Sequence, residues 1–225
     1  MFINRNIFVD FINDIPILSL RKEPLEDTGN RIKKRAFDIF FSSFVILFVL
    51  SWLIPLIAIL IKIDSRGPVF FIQSRSGKNN NPFRCIKFRS LQVNDEADSK
   101  QVSRDDQRIT RLGRFMRKTN IDELPQFFNI FHGDMSLVGP RPHMLKHTEH
   151  FADLYKEYMI RHFVKPGLTG WAQVNGFRGE IKDTEFLKKR IEYDIWYMEN
   201  WSLYFDVRII LLTILVSIKG DKNAF

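Results

Sequence analysis

Asp122 and Glu123 stand side by side just after the cations Arg117 and Lys118, in the run Arg-Lys-Thr-Asn-Ile-Asp-Glu-Leu-Pro-Gln-Phe-Phe-Asn over residues 117–129. With Thr119 or Asn120 as N-cap, both carboxylates fall in the first turn of a helix, where free amides and the macrodipole favour negative charge. A carboxylate there can hold Mg2+ through its hard oxygens or attack phosphorus as a nucleophile. The commoner use of such a pair is to cap a solvated helix, so the surrounding residues must decide.

Those residues are strongly cationic. Lys87 and Arg89 share a parity on an alternating strand over residues 83–89 and project from one face, either to grip a phosphate or to solvate the sheet. Arg108, Arg111, Arg114, Arg117 and Lys118 recur among Ile109, Leu112, Phe115 and Met116, a helix with one basic and one apolar face that suits headgroups or a pyrophosphate. Arg141 lies between Pro140 and Pro142, which stiffen the backbone on both sides and would hold a guanidinium for bidentate contact, unless the loop only turns the chain. His143, His147 and His150 fall on neighbouring turns. They lack the His-Glu-x-x-His pattern and read as a surface helix rather than a zinc site. The glycine-punctuated stretch 165–176 permits close backbone approach to a ligand. It has neither a Walker lysine nor a dinucleotide fingerprint, which excludes a P-loop nucleotidase and a Rossmann oxidoreductase.

The elements that must position these groups begin with residues 1–30, where a single edge strand at 15–20 and a polar tract at 21–30 read as a linker or the remnant of a preceding domain. Residues 36–63 then form an apolar run whose charges are Asp38 and Lys62. As a helix, residues 39–61 would reach about 35 Å, enough to cross a hydrocarbon core. Two features oppose a simple crossing. Pro55 frees the carbonyl of Ser51, and both flanks are basic, with Lys33, Lys34 and Arg35 before and Lys62, Arg66 and Arg75 after, so both ends want the same face. A helix that enters, breaks at residues 51–55 and returns meets this. A crossing helix is the alternative, since freed backbone groups are costly in lipid. Strands follow at 69–73 and 83–89, a mobile polar tract at 94–106, a helix at 127–131 running into Gly133, and a charged helix at 184–200. The apolar run 207–218 is too short to cross and is either interfacial or a core helix.

The fold class is therefore α+β, mostly helical with short β-strands. Its parts are residues 1–30, a membrane element over 31–66 and a catalytic domain over 67–225. A hydrophobic content of 45% in 225 residues supplies a core, and a net charge of +8 asks for an anionic partner: nucleic acid, lipid headgroups or a phosphorylated substrate. No recognisable nucleic-acid motif surrounds the basic helix. Cys85 is the only cysteine, which excludes an intrachain disulfide, a zinc ribbon and an iron–sulfur site. The opening Met1-Phe2-Ile3-Asn4-Arg5 lacks a secretory pattern, so the N-terminus is expected to be kept.

Several strings taken in order resemble one family. They are Lys34-Arg35-Ala36-Phe37-Asp38, Gly67-Pro68-Val69-Phe70-Phe71, Lys87-Phe88-Arg89, Arg108-Ile109-Thr110, Asp122-Glu123-Leu124-Pro125-Gln126, the run from Gly133 through Pro142, and Pro166-Gly167-Leu168-Thr169-Gly170. Together they resemble the bacterial sugar transferases, the monotopic phosphoglycosyl transferases. That resemblance implies transfer of a hexose-1-phosphate from a UDP-sugar to polyprenyl (undecaprenyl) phosphate with release of UMP, the first membrane step of exopolysaccharide, capsule, O-antigen or glycan assembly. It implies Asp122 as the nucleophile of a covalent phosphosugar intermediate, Glu123 as its positioning or proton-transfer partner, and Mg2+ as cofactor, with both carboxylates as its ligands. Lys87, Arg89, Arg108, Arg114 and Arg141 are the candidates for neutralising phosphate charge. Lys34, Arg35, Asp38, Ser51 and Pro55 mark the entry and break of a re-entrant membrane helix. The implied setting is the cytoplasmic face of the bacterial inner membrane, with membrane lipids as partners and no nucleic acid. The N-terminal segment could pair across a homodimer, and the chain is either a short member or a catalytic piece of a longer one. Three positions depart from the family pattern: Ile54-Pro55 for Ser-Pro, Asp106-Gln107-Arg108 for Asp-Pro-Arg, and Asn120-Ile121 for Ser-Leu. At the first, Ser51 is expected to bond back to Leu47 in place of the missing hydroxyl. Two rival classes are a membrane-anchored basic binding protein and a metal-dependent phosphohydrolase.

Overall fold

A computed structural model describes residues 8–12, 15–19, 23–94, 106–179, 181 and 183–219, with only the backbone for 8–12, 15–19, 218 and 219. The tract expected to be polar and mobile lies mostly outside the described residues.

The N-terminal segment corrects the first expectation, because the strand read as unpartnered has a neighbour. β1 (Phe8–Ile12) pairs antiparallel with β2 (Ile15–Ser19), from Phe8 opposite Ser19 to Ile12 opposite Ile15. After a 3-10 turn at Pro24–Glu26 the polar tract becomes helix, since the Asp27 carboxylate accepts the Asn30 amide at 2.8 Å and caps α1 (Thr28–Val45). A π-helical turn (Ile46–Leu50) joins α1 to α2 (Ser51–Asp64), so the helix is unbroken over 37 residues, long and apolar enough to cross a membrane by length and composition. The irregularity therefore sits one turn earlier than the break expected at 51–55, and the helix continues through Pro55. In the π turn the Ser51 amide reaches back to Ile46 O, which leaves Leu47 O without its usual donor. The Ser51 hydroxyl supplies one at 2.7 Å, as expected, and the Trp52 indole donates to Phe48 O at 2.9 Å.

One stripe of this helix is buried along its whole length, through Lys34, Asp38, Ser42, Val45, Leu50, Ile57 and Ile61, while Phe40, Leu47, Phe48, Trp52, Ile59 and Ile63 are exposed. The buried stripe is polar at its start. Lys34 pairs with Asp206 at 2.6 Å and donates to Tyr197 Oη at 3.1 Å. Arg35 donates to the carbonyls of Ile130 and Phe131, each at 2.7 Å. Asp38 accepts from the Leu137 amide at 2.9 Å and the Ser136 hydroxyl at 3.0 Å. These side chains dock the N-terminal half of the helix on the body, and Ile57 and Ile61 dock the other half against Phe88 and Met116.

β3 (Phe70–Ser76) and β4 (Pro82–Phe88) form an antiparallel hairpin, with Gln73 opposite Cys85. α3 (Arg111–Thr119) starts on Thr110, whose hydroxyl accepts the Gly113 amide at 2.9 Å, and stops at Asn120 in the left-handed region. A 3-10 turn (Ile121–Glu123) leads into α4 (Gln126–His132), which ends at Gly133 with φ 104°. β5 (Ser136–Val138) pairs in parallel with β6 (Gly167–Thr169). Within the stretch read as a ligand approach, Gly167 is required by this pairing: a Cβ there would collide with the Gly139 amide nitrogen, so two backbones touch. Between the strands lie α5 (Leu145–Leu154) and a 3-10 segment (Lys156–Phe163). α6 (Trp171–Val174), α7 (Thr184–Glu199) and α8 (Leu203–Lys219) complete the chain. Within the apolar C-terminal run Ile209 is buried in the core, as the core-helix reading expects, while Leu211, Ile214 and Leu215 are exposed. The class is α+β and mostly helical, as read from sequence.

Candidate active site

The two carboxylates lie on the 3-10 turn rather than in an α-helical first turn, and Asn120 enters that turn at φ 60° without a side-chain cap. Thr119 belongs to the last turn of α3, where its hydroxyl bonds back to Phe115 O at 2.9 Å. The tight turn separates the carboxylates into different surroundings. Both face a cavity of about 410 Å3 walled by β3, β4, the loop after β5, the loop after α6 and the inner face of α7.

Glu123 is saturated with cations. Its Oε1 lies 2.6 Å from Lys87 Nζ and 2.6 Å from Arg141 Nη2, and its Oε2 lies 3.2 Å from Arg141 Nη1 and 3.5 Å from Arg178 Nη2. Burial alone would raise this carboxyl, but Arg141 and Lys87 outweigh it and hold the group well below the usual carboxylate range. Glu123 in turn raises Arg141 against the effect of burial, whereas burial lowers Lys87 despite Glu123. Asp122 is the opposite case. It is 5% exposed and accepts no hydrogen bond from the described residues. Burial, with help from the Glu123 charge, raises its carboxyl above the ordinary aspartate value even though Lys87, Arg117 and Arg141 pull the other way. A buried carboxylate that accepts no hydrogen bond from the described residues, facing a cationic cavity, is a poorly stabilised anion.

Of the cations expected near phosphate, Lys87 and Arg141 are at the carboxylates. Arg89 lines the cavity wall but spends its guanidinium on backbone carbonyls, and Arg108 and Arg114 lie elsewhere. Arg89 lies past the end of β4 and turns under the helix, donating to the carbonyls of Pro68, Arg66 and Ser65 at 2.6, 2.8 and 2.8 Å, so that it closes the C-terminal end of α2. Arg108 is paired with Asp106 at 2.6 Å and is outside the cavity wall. Arg114 is on the exposed face of α3. Their places are taken by Arg75, Arg117, Arg178 and Arg190, which line the cavity with Gln73 and His143. Arg117 belonged to the basic stripe and stands five residues before Asp122, a signal that was present. Arg178 was a charge closing a glycine-rich loop, a weaker one. Arg190 sits among other charges on α7, and nothing in the pattern singles it out. His143 is buried against Tyr158 rather than on a surface helix, while His147 lines the cavity and His150 is exposed.

Among the described residues no group of three His, Cys, Asp or Glu side chains converges as a protein-only metal cage. The carboxylate pair still fits Mg2+, which is commonly bound through one or two carboxylates plus substrate phosphates and water. Asp122 has free oxygens for it, and Glu123 would have to give up a cation.

The model of the bacterial sugar transferase family matches residues 29–220, and the chain belongs to that family. It is 44% identical over 214 residues to an Escherichia coli protein named UDP-glucose:undecaprenyl-phosphate glucose-1-phosphate transferase, covering 94% of this chain and 45% of that protein. A Caulobacter vibrioides protein of the same name is 39% identical over 219 residues, covering 96% of this chain and 81% of its own length. An Aeromonas hydrophila protein named UDP-N-acetylgalactosamine-undecaprenyl-phosphate N-acetylgalactosaminephosphotransferase is 44% identical over 189 residues, covering 83% of this chain and 44% of that protein. The chain thus spans a little under half of the Escherichia coli relative.

Proposed function

We propose that this protein transfers a hexose-1-phosphate from a UDP-sugar to polyprenyl phosphate by way of an aspartyl-phosphosugar intermediate on Asp122. The observation that carries this reading is the contrast within the pair: Glu123 bound by three cations, and Asp122 beside it accepting no hydrogen bond from the described residues. An Asp122 carboxylate oxygen attacks the phosphorus that bears the sugar. The bond from that phosphorus to the bridging oxygen breaks, and the nucleoside monophosphate leaves with the electron pair. A phosphate oxygen of the lipid then attacks the acyl phosphate and Asp122 departs as carboxylate. Two anionic substrates are never required to react with each other directly. Lys87, Arg141, Arg178 and Arg117 line the cavity and neutralise phosphate charge. Glu123, held ionised, is suited to orienting these cations and poorly suited to taking a proton. Mg2+, held by Asp122 and Glu123 together with substrate oxygens, would add Lewis-acid neutralisation of the phosphates.

The setting follows from the helix. Both of its halves dock on the same body while one face stays apolar and exposed, which supports a helix embedded in lipid from one side rather than a freely crossing one. With basic flanks that side is the cytoplasmic face of the bacterial inner membrane. The exposed apolar face of α8 adds a second contact with lipid.

The test is one incubation of purified protein with Mg2+, polyprenyl phosphate and a UDP-sugar panel, scored for UMP with and without lipid. The names of the relatives put UDP-glucose first and UDP-N-acetylgalactosamine second. Lipid-linked sugar phosphate is the expected product, together with labelled sugar phosphate trapped on the wild type and absent from Asp122→Asn. Release of free sugar phosphate without lipid would instead make the protein a phosphohydrolase, and equal labelling of both proteins would remove Asp122 as nucleophile.

A further inference from the structure

Away from the carboxylates, one corner of the cavity holds hydrogen-bond donors that none of the described residues accepts. His143 begins it. Its Nδ1 lies 2.6 Å from Tyr158 Oη and 3.3 Å from Arg161 Nη1. A guanidinium only donates, so Nδ1 presents its lone pair and the neutral ring carries its proton on Nε2. Burial and the Arg161 charge keep the ring neutral. That Nε2–H is buried without a partner, in a residue that lines the cavity.

Arg190 repeats the pattern from α7. It is 2% exposed, its Nε is unpartnered, and its contact from Nη1 to Gly179 O is long at 3.5 Å. No carboxylate of the described residues pairs with it, because Asp194, its nearest candidate, is held by Arg161 at 2.8 Å. Arg75 is engaged at both terminal nitrogens, by Pro142 O and Gln73 Oε1, yet its Nε also lacks an acceptor. Buried donors and an unpaired guanidinium are costly to maintain unless an anion completes them. Arg141 separates this corner from the carboxylates, pairing with Glu123 on one side while its carbonyl accepts from Arg161 on the other.

We infer that His143, Arg190 and Arg75 form a second phosphate subsite, whose Nε–H groups donate to the oxygens of a phosphate other than the one Asp122 attacks. The inference rests on the proposed reaction and deepens it: the occupant is the phosphate of the nucleoside monophosphate, which stays bound after its bond to the sugar phosphate has broken. Polyprenyl phosphate offers the same chemistry, so the test gives each its own arm.

UMP, inorganic phosphate and a short-chain polyprenyl phosphate are titrated separately into the full chain in detergent by calorimetry. In His143→Gln the side-chain amide falls near the position of Nε2, and in His143→Asn near that of Nδ1. Loss of one charge-assisted hydrogen bond predicts UMP affinity lower by about tenfold or more in His143→Asn and in Arg190→Gln, with most of it recovered in His143→Gln. Unchanged UMP affinity in both His143→Asn and Arg190→Gln overturns the subsite, and so does an equal loss in the Asn and Gln variants of His143, which is the mark of disturbed packing. Weakening confined to the lipid phosphate overturns the nucleotide assignment. A wild-type protein that transfers sugar phosphate while failing these tests leaves the reaction standing, whereas one that transfers from no UDP-sugar overturns the reaction itself.

Discussion

Replacing each carboxylate of the pair by its own amide changes almost no volume, yet the two substitutions are expected to move stability in opposite directions. Glu123→Gln removes the negative charge shared by Lys87, Arg141 and Arg178 and leaves buried cations facing one another. Breaking a buried ion pair from one side costs about 3–5 kcal/mol, and the remaining amide oxygen keeps the loss near the lower end, about 3 kcal/mol. In a chain of 225 residues this corresponds to a melting temperature lower by about 6–12 °C. Asp122→Asn removes an anion that burial and the Glu123 charge penalise by more than Lys87, Arg117 and Arg141 offset, so the melting temperature rises.

The pH dependence separates this account from simple disturbance of packing. Glu123 has a depressed folded value, so its stabilisation is present above the unfolded value of 4.5 and is lost as pH falls through the folded one. Asp122 has a raised folded value, so its penalty is present above that value and is gone below the unfolded 3.8. Thermal unfolding of the wild type and both variants in detergent, from neutral pH down to about pH 3, is expected to show curves that are widest apart at neutral pH and converge as the acid groups protonate. If Asp122→Asn is destabilised as much as Glu123→Gln, or if the gap is the same at every pH, the ion-pair assignment is wrong.

Three further outcomes follow from the geometry. Lys34→Met leaves Asp206 buried without its cation and is expected to cost about 3–5 kcal/mol, read as a loss of folded yield and melting temperature and relieved when Asp206→Asn is added. Gly113→Ala drives a methyl into the carbonyl oxygen of Ser90, so α3 must shift; a cost of about 1–3 kcal/mol and a fall in transfer rate, through displacement of Arg117 and the turn that follows it, are the measurements. Ser51→Ala removes the donor to Leu47 O and is expected to lower stability by about 1 kcal/mol in detergent, because that carbonyl has lost its helical donor to the π turn.

The sequence showed the carboxylate pair, Lys87, Arg141, the hairpin at 70–88 and the helices at 111–119 and 184–199, because each depends on local pattern. The failures have a common cause in geometry beyond one element. At 3.6 residues per turn, each step of three slips back by about 60°, so a stripe through Arg111, Arg114 and Arg117 turns about 120° around the axis. Arg117 consequently reaches the cavity while Arg114 faces away. Arg89 reaches the cavity wall with Lys87, but it stands past the end of β4 at Phe88, and its donors are taken by the carbonyls of Pro68, Arg66 and Ser65. β5 and β6 span three residues each, too short for any period to show, and their pairing requires Gly167, a glycine that looked like part of a ligand approach. The donors of His143 and Arg190 were invisible because an unmet hydrogen bond belongs to the folded neighbourhood, not to the residue.

The buried polar stripe at the start of the long helix also bears on the order in which the chain is made. Lys34 finds its partner 172 residues later, and Asp38 finds its own 98 and 99 residues later. While the ribosome is still translating the middle of the chain, the apolar helix already exists but carries an ammonium and a carboxylate that lipid tails would reject. Those two groups discourage the nascent helix from settling across the bilayer, and only the arrival of residue 206 supplies the last counter-charge that fixes it against the rest of the protein.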